Sequence, residues 1–156
     1  MQSGENDIAR ETFGFPEKML VQITLDSQGK ACFDLAWCNK PALRIPEAFW
    51  WGFNPVRPLT AIQKISTWVD PKNVVSKGNR EMHGTSGLID FNGIILNSID
   101  APLLAVDETA CYSFRNQVPE CTKGIWLNLF NNQWGTNFPM WYEDDARFRV
   151  EIYEKK

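Results

Sequence analysis

Hydrophobic and polar positions in this chain recur mainly at a spacing of two, the period of a strand with one dry and one wet face. Met19 to Asp26, then Ser27-Gln-Gly-Lys30, then Ala31 to Trp37 predict a hairpin with Phe33, Leu35 and Trp37 on one face. Gly87-Leu-Ile-Asp90 and Ile94-Ile-Leu96 flank Asn92-Gly93, a pair that accepts the positive φ angles of a tight reversal and so predicts a second hairpin. Gly124 to Phe130 is almost continuously hydrophobic, which predicts a strand covered on both faces, with Trp126 a candidate core ring. Ala146 to Tyr153 alternates sharply, sending Phe148, Val150 and Ile152 inward and Arg147, Arg149 and Glu151 to water.

No window of helical length keeps an i, i+3, i+4, i+7 apolar stripe without a Pro or Gly. One helical turn fits at Ile45-Pro-Glu-Ala-Phe49, since Pro suits a first helical position. Prolines 41, 46, 55, 58, 71, 102, 119 and 139 fall between the apolar runs at loop-like intervals. Short strands so punctuated predict an all-β fold, an antiparallel β-sandwich. Residues 1–12 are polar and irregular and read as a frayed terminus, leaving 13–156 as a single domain.

Composition narrows the function classes. At 156 residues the chain has room for one core, and 44% hydrophobic with 13% aromatic residues excludes general disorder. Sixteen Lys+Arg against 19 Asp+Glu give a net charge of -3, without the basic excess of a nucleic-acid surface. No apolar run reaches the ~20 residues that span a bilayer, so no membrane partner is expected. Cys32, Cys38, Cys111 and Cys121 match neither a zinc pair nor a dense disulfide framework, which predicts free thiols. With no leader-like start and no Asn-x-Ser/Thr acceptor, a cytoplasmic address is expected.

The chemistry concentrates in residues 131–145, Asn-Asn-Gln-Trp-Gly-Thr-Asn-Phe-Pro-Met-Trp-Tyr-Glu-Asp-Asp. Flat aromatic faces, amides and carboxylates suit sugar C–H faces and hydroxyls. The same rings also suit packing of a loop onto a core, with amides capping backbone groups. Asp144 and Asp145 are adjacent and diverge on a strand, so spacing does not make them a glycosidase pair. His83 is the single histidine, poor material for a metal site. Asp100 precedes Ala101-Pro102, where an Asp commonly starts a turn. Nucleophile-elbow and phosphate-loop patterns are absent from the sequence. Trp50-Trp51 suits either the core or an exposed contact patch.

A series of segments carries a family resemblance: residues 39–49, Asn54-Pro55, Val69-Asp-Pro71, Arg80-Glu-Met-His83, Ser98-Ile-Asp-Ala-Pro102, Leu129 to Tyr142 and Asp145-Ala-Arg-Phe-Arg149. Over residues 13–152 the chain resembles the C-terminal β-domain of uncharacterised proteins related to glycoside hydrolase family 38, the α-mannosidases, a group labelled domain of unknown function 5054. The resemblance implies a supersandwich, galactose-mutarotase-like domain that packs against a catalytic domain and lends residues to its cleft. By position in the resembling motifs these are His83, Asp100, Trp134, Asn137 and Trp141. It places zinc and the catalytic carboxylates in an N-terminal barrel absent from these residues, so no cofactor is expected in this chain. Partners are then a carbohydrate and the missing catalytic domain, and an exposed apolar face of several hundred Å² would favour this accessory role. The rivals are a stand-alone carbohydrate-binding or protein-interaction domain, and a self-sufficient hydrolase pairing Asp100, Asp144 or Asp145 with His83.

Overall fold

The computed structural model describes residues 8, 10, 12–73, 78, 82–110, 117–132 and 140–155. Two antiparallel sheets stack face to face, so the chain is an all-β sandwich. The strands are β1 (Lys18–Leu25), β2 (Ala31–Lys40), β3 (Ala48–Phe53), β4 (Ala61–Lys64), β5 (Thr67–Val69), β6 (Met82–Gly84), β7 (Leu88–Phe91), β8 (Ile94–Ser98), β9 (Leu103–Val106), β10 (Ile125–Asn131) and β11 (Asp144–Glu154). A seven-stranded sheet runs β1-β2-β11-β8-β7-β4-β5, and a four-stranded sheet runs β3-β10-β9-β6.

The expected elements are present. β1 and β2 pair over eight consecutive residues, with Asp26 Oδ1 closing their turn by accepting the N–H groups of Gln28 (2.8 Å) and Lys30 (2.9 Å). Asn92 and Gly93 adopt φ of 50° and 92° and join β7 to β8, with Phe91 opposite Ile94. Leu35, Trp37 and Val150 are buried, and Phe33, Phe148 and Ile152 pack against the core.

Two kinds of packing fill the interior. Ile62, Ile89, Phe91, Leu96, Leu104, Ile125 and Leu127 are fully enclosed at the β7, β9 and β10 side. Toward β2 and β3 the filling is aromatic: Trp37 meets Phe49 (5.3 Å between ring centres) and Phe148 (5.0 Å), and Phe33 meets Phe53 edge-on at 5.6 Å. These contacts seat β3 over β2.

Two expectations change. Residues 45–47 are not helical; β3 starts at Ala48, and its alternation sends Phe49, Trp51 and Phe53 inward and Trp50 outward. Trp126 lies opposite Gly52 on the outer face of the four-stranded sheet and is half-buried, because Ile125 and Leu127 take the two inward positions around it. It is therefore not a core ring. Residues 12 and 13 are helical, and Gly14, at φ 67°, ends that turn by donating its N–H to the Arg10 carbonyl (2.9 Å).

Candidate functional site

The aromatic and amide-rich segment 131–145 enters and leaves at one end of the sandwich, and two sets of polar contacts fix its stems. Asn132 is the first. Its Oδ1 accepts the Glu47 N–H (2.8 Å), its Nδ2 donates to the Ile45 carbonyl (2.8 Å), and its own N–H donates to the Glu47 carbonyl (3.1 Å). Lys40 is the second. Its ammonium is fully enclosed and donates to Glu47 Oε1 (2.8 Å), the Pro41 carbonyl (3.1 Å) and the Tyr142 carbonyl (3.4 Å). It also stands 5.0 Å from the Phe130 ring centre and 5.7 Å from that of Phe49.

A lysine reaches this place through a break in the β2 alternation. Asn39 adopts φ 53°, and between Trp37 and Lys40 the strand carries one residue more than β11 does between Ala146 and Asp144. That bulge turns Lys40 inward. Tyr142 stacks on Phe130 at 5.6 Å and donates its hydroxyl to the Asp145 carbonyl (2.6 Å). Burial and the neighbouring Asp144 and Asp145 push its pKa up, so it stays a neutral donor at neutral pH.

On this base Trp141 is 46% exposed, with the Arg44 guanidinium 4.9 Å from its ring centre. Asp144 and Asp145 follow. Asp145 Oδ1 accepts the Asn39 N–H (2.7 Å) and Asp144 Oδ1 accepts the Asp145 N–H (2.8 Å), so each carboxylate has one oxygen committed to the backbone. An exposed ring, a guanidinium and partly engaged carboxylates can stack on a flat apolar face and bind hydroxyls.

The structure places the other expected site residues elsewhere. Trp134 and Asn137 lie outside the described residues. His83 is 2% exposed on β6, opposite Leu104 and on the same inward face. Asp100 lies at the solvent side of the seven-stranded sheet, where Oδ1 accepts from Arg149 Nη2 (2.8 Å) and Oδ2 accepts from Arg149 Nε (2.9 Å) and its backbone N–H (2.9 Å). The Arg149 guanidinium holds the Asp100 carboxyl below its ordinary range. Asp100 is thus a locked anion beside a second bidentate pair, Arg147 with Asp34. A shallow 310 Å³ concavity on that face is lined by Gln22, Thr24, Asp34, Arg147 and Arg149 among others. Asp100 and Trp141 share no hydrogen-bonding or stacking partner among the described residues.

Sequence reading does not single out Arg44, Lys40 or Glu47, and it takes Asn132 only as one amide of the 131–145 segment. The bulge at Asn39 is the signal that linked Lys40 to them, and it is a backbone feature rather than a residue type. Cys32, Cys38 and Cys121 are free thiols. Burial raises the Cys121 pKa to about 11, which keeps it protonated and unreactive. Among the described residues no group of three or more His, Cys, Asp or Glu is placed to hold a metal ion, and no helix is long and apolar enough to cross a membrane.

The fold and site define an antiparallel β-sandwich with an aromatic and polar end. No family model, no curated protein and no solved structure matches the chain.

Proposed function

We propose that this chain is an accessory β-sandwich domain of a glycoside-hydrolase-like, α-mannosidase-related protein, and that it contacts carbohydrate through the end of the sandwich bearing Trp141. The observation that carries the reading is the half-exposed Trp141 ring, stacked by Arg44 and rising from a base pinned by Lys40, Glu47 and Asn132. A ring held from beneath loses little further freedom on stacking with a sugar. Asp100 does not act as an acid in this reading, because Arg149 keeps it ionised. The zinc and carboxylates of catalysis belong to a separate domain. The exposed apolar side of β1 described below supports the accessory role, and it also suits the alternative of a protein-interaction domain.

Tryptophan fluorescence titrations with mannose, other monosaccharides and short oligosaccharides test the proposal, run beside turnover of aryl α- and β-glycosides with added zinc. Saturable quenching that Trp141→Ala abolishes, without turnover, is the expected result. Turnover lost on replacing Asp144 or Asp145 would overturn it, and so would an absence of any sugar response.

A further inference from the structure

The two sheets differ in width, and the mismatch leaves β1 uncovered. β3 is an edge of the four-stranded sheet and sits over β2 through the Phe49–Trp37 and Phe53–Phe33 contacts, so among the described residues no strand of that sheet lies over β1. Yet β1 is built with a dry face. Met19, Val21 and Ile23 stand opposite Trp37, Leu35 and Phe33, and so share the inward side with the core. They are 49%, 57% and 63% exposed, and Leu25 is 73% exposed. All eight residues of the strand are exposed.

The edge itself is also unprotected. β5, at the other end of the same sheet, is three residues long, and so is β6. Short edges resist pairing with other chains, as do edges broken by Pro, a bulge or an inward charge. β1 has none of these: its eight-residue register with β2 is uninterrupted, and Lys18 is its single charge. Asp26 donates its N–H to the Lys30 carbonyl (3.0 Å), which fixes the even-numbered residues as those facing β2. By alternation Met19, Val21, Ile23 and Leu25 direct their N–H and C=O groups to the open edge.

We infer that β1 pairs antiparallel with β1 of a second copy across a two-fold axis at Gln22, joining two seven-stranded sheets into one. The register follows from chemistry. Keeping the apolar face on one side requires odd positions to meet odd positions. With Gln22 opposite itself, Val21 meets Ile23, Met19 meets Leu25, and Lys18 of each copy lies opposite Asp26 of the other. Centring on Val21 instead would put Lys18 opposite Thr24 and lose both charge pairs. Met19, Val21, Ile23 and Leu25, four large apolar side chains about half or more exposed on one face, present on the order of 400 Å², within the range for a monomer's largest patch. The eight exposed residues present on the order of 800 Å² in all, of which edge pairing covers part, so the dimer falls among the smaller interfaces and dissociates on dilution.

Light scattering on the eluting full chain tests this. The expected mass is twice 17.9 kDa, falling toward one chain on dilution. Val21→Pro removes an N–H that faces the open edge, so it should give a monomer with unchanged far-ultraviolet circular dichroism. Should that variant lose its sheet signal, Ile23→Lys decides on the same criterion. Gln22→Cys should form a covalent dimer under mild oxidation beyond any in wild type treated alongside, since residues in a non-hydrogen-bonded pair approach closely enough for a disulfide. A wild-type monomer at every concentration overturns the inference and leaves the face to another domain. A dimer that survives both Val21→Pro and Ile23→Lys overturns it too, and covalent dimers from Val21→Cys but not Gln22→Cys overturn the register. Loss of sugar binding by Trp141→Ala is a separate readout, so this pairing and the carbohydrate reading fail independently.

Discussion

Lys40 and Glu47 form an ion pair of 2.8 Å in which the lysine side chain is 0% and the glutamate side chain 9% exposed. The pair ties the end of β2 to the segment that enters β3, and the Tyr142 carbonyl joins the same ammonium to the approach to β11. Glu47 Oε2 has no hydrogen-bond partner among the described residues, so one carboxylate oxygen does all the pairing.

Removing one partner should therefore cost more than removing both. Glu47→Ala leaves a buried ammonium uncompensated and should lower stability by about 3–5 kcal/mol, whereas Lys40→Met with Glu47→Leu should cost clearly less. Urea melts of the two variants check this. Equal losses for the single and double variants would mean that the pair adds nothing beyond packing.

Trp126 and Trp141 should separate folding from binding. Trp126 is half-buried over Gly52, so Trp126→Ala should cost about 1–2 kcal/mol, below the ~3–5 of a core aromatic. Trp141→Ala should leave the urea midpoint nearly unchanged and remove the sugar response. A Trp141→Ala variant that unfolds readily would make the ring structural.

Gly124 should tolerate no side chain. It adopts φ 85°, and a Cβ there would lie against the Phe53 carbonyl oxygen at the entry to β10. Gly124→Ala combines left-handed strain of about 1–3 kcal/mol with a backbone clash, so a loss of about 3 kcal/mol or more is expected in thermal or urea melts.

Acid should weaken the solvent face of the large sheet. Hydrogen bonds from Arg149, Arg147 and Lys30 hold Asp100, Asp34 and Glu151 below their ordinary pKa. A folded-state pKa below the unfolded one gives stability that is complete above the unfolded value and lost as pH falls through the folded value. Urea midpoints should hold from neutrality to about pH 5 and drop below about pH 4. Arg149→Gln should flatten that drop. A midpoint that falls instead between pH 7 and pH 5 would assign the dependence to other groups.

Particular residues show how much of this was legible beforehand. β2 and β11 each have one dry and one wet face, so their alternation predicted Leu35, Trp37 and Val150 as core correctly. β3 was missed because Pro46 resembles a helix start and Phe49-Trp50-Trp51 has no polar alternation, although its two faces are distinct once Phe53 and Gly52 are paired. β4, β5, β6, β7 and β9 have three or four residues each, too few for a period to register, and only β7 was read, through its Asn92-Gly93 turn. Of the candidate site, the sequence points to Trp141 but not to Lys40, because the Asn39 bulge reverses the face that alternation assigns to Lys40.

The sequence by itself determined the strand-rich class, the two hairpins with their turn residues, and which side of β2 and β11 is dry, because these depend on neighbours in the chain. Only the tertiary structure decided that the dry side of β1 stays exposed, that Trp126 faces outward, that His83 is enclosed, and that Lys40 and Glu47 meet inside. Each of those depends on the width and placement of the opposite sheet, and residues brought together across a sandwich leave no periodic trace in the order of the chain.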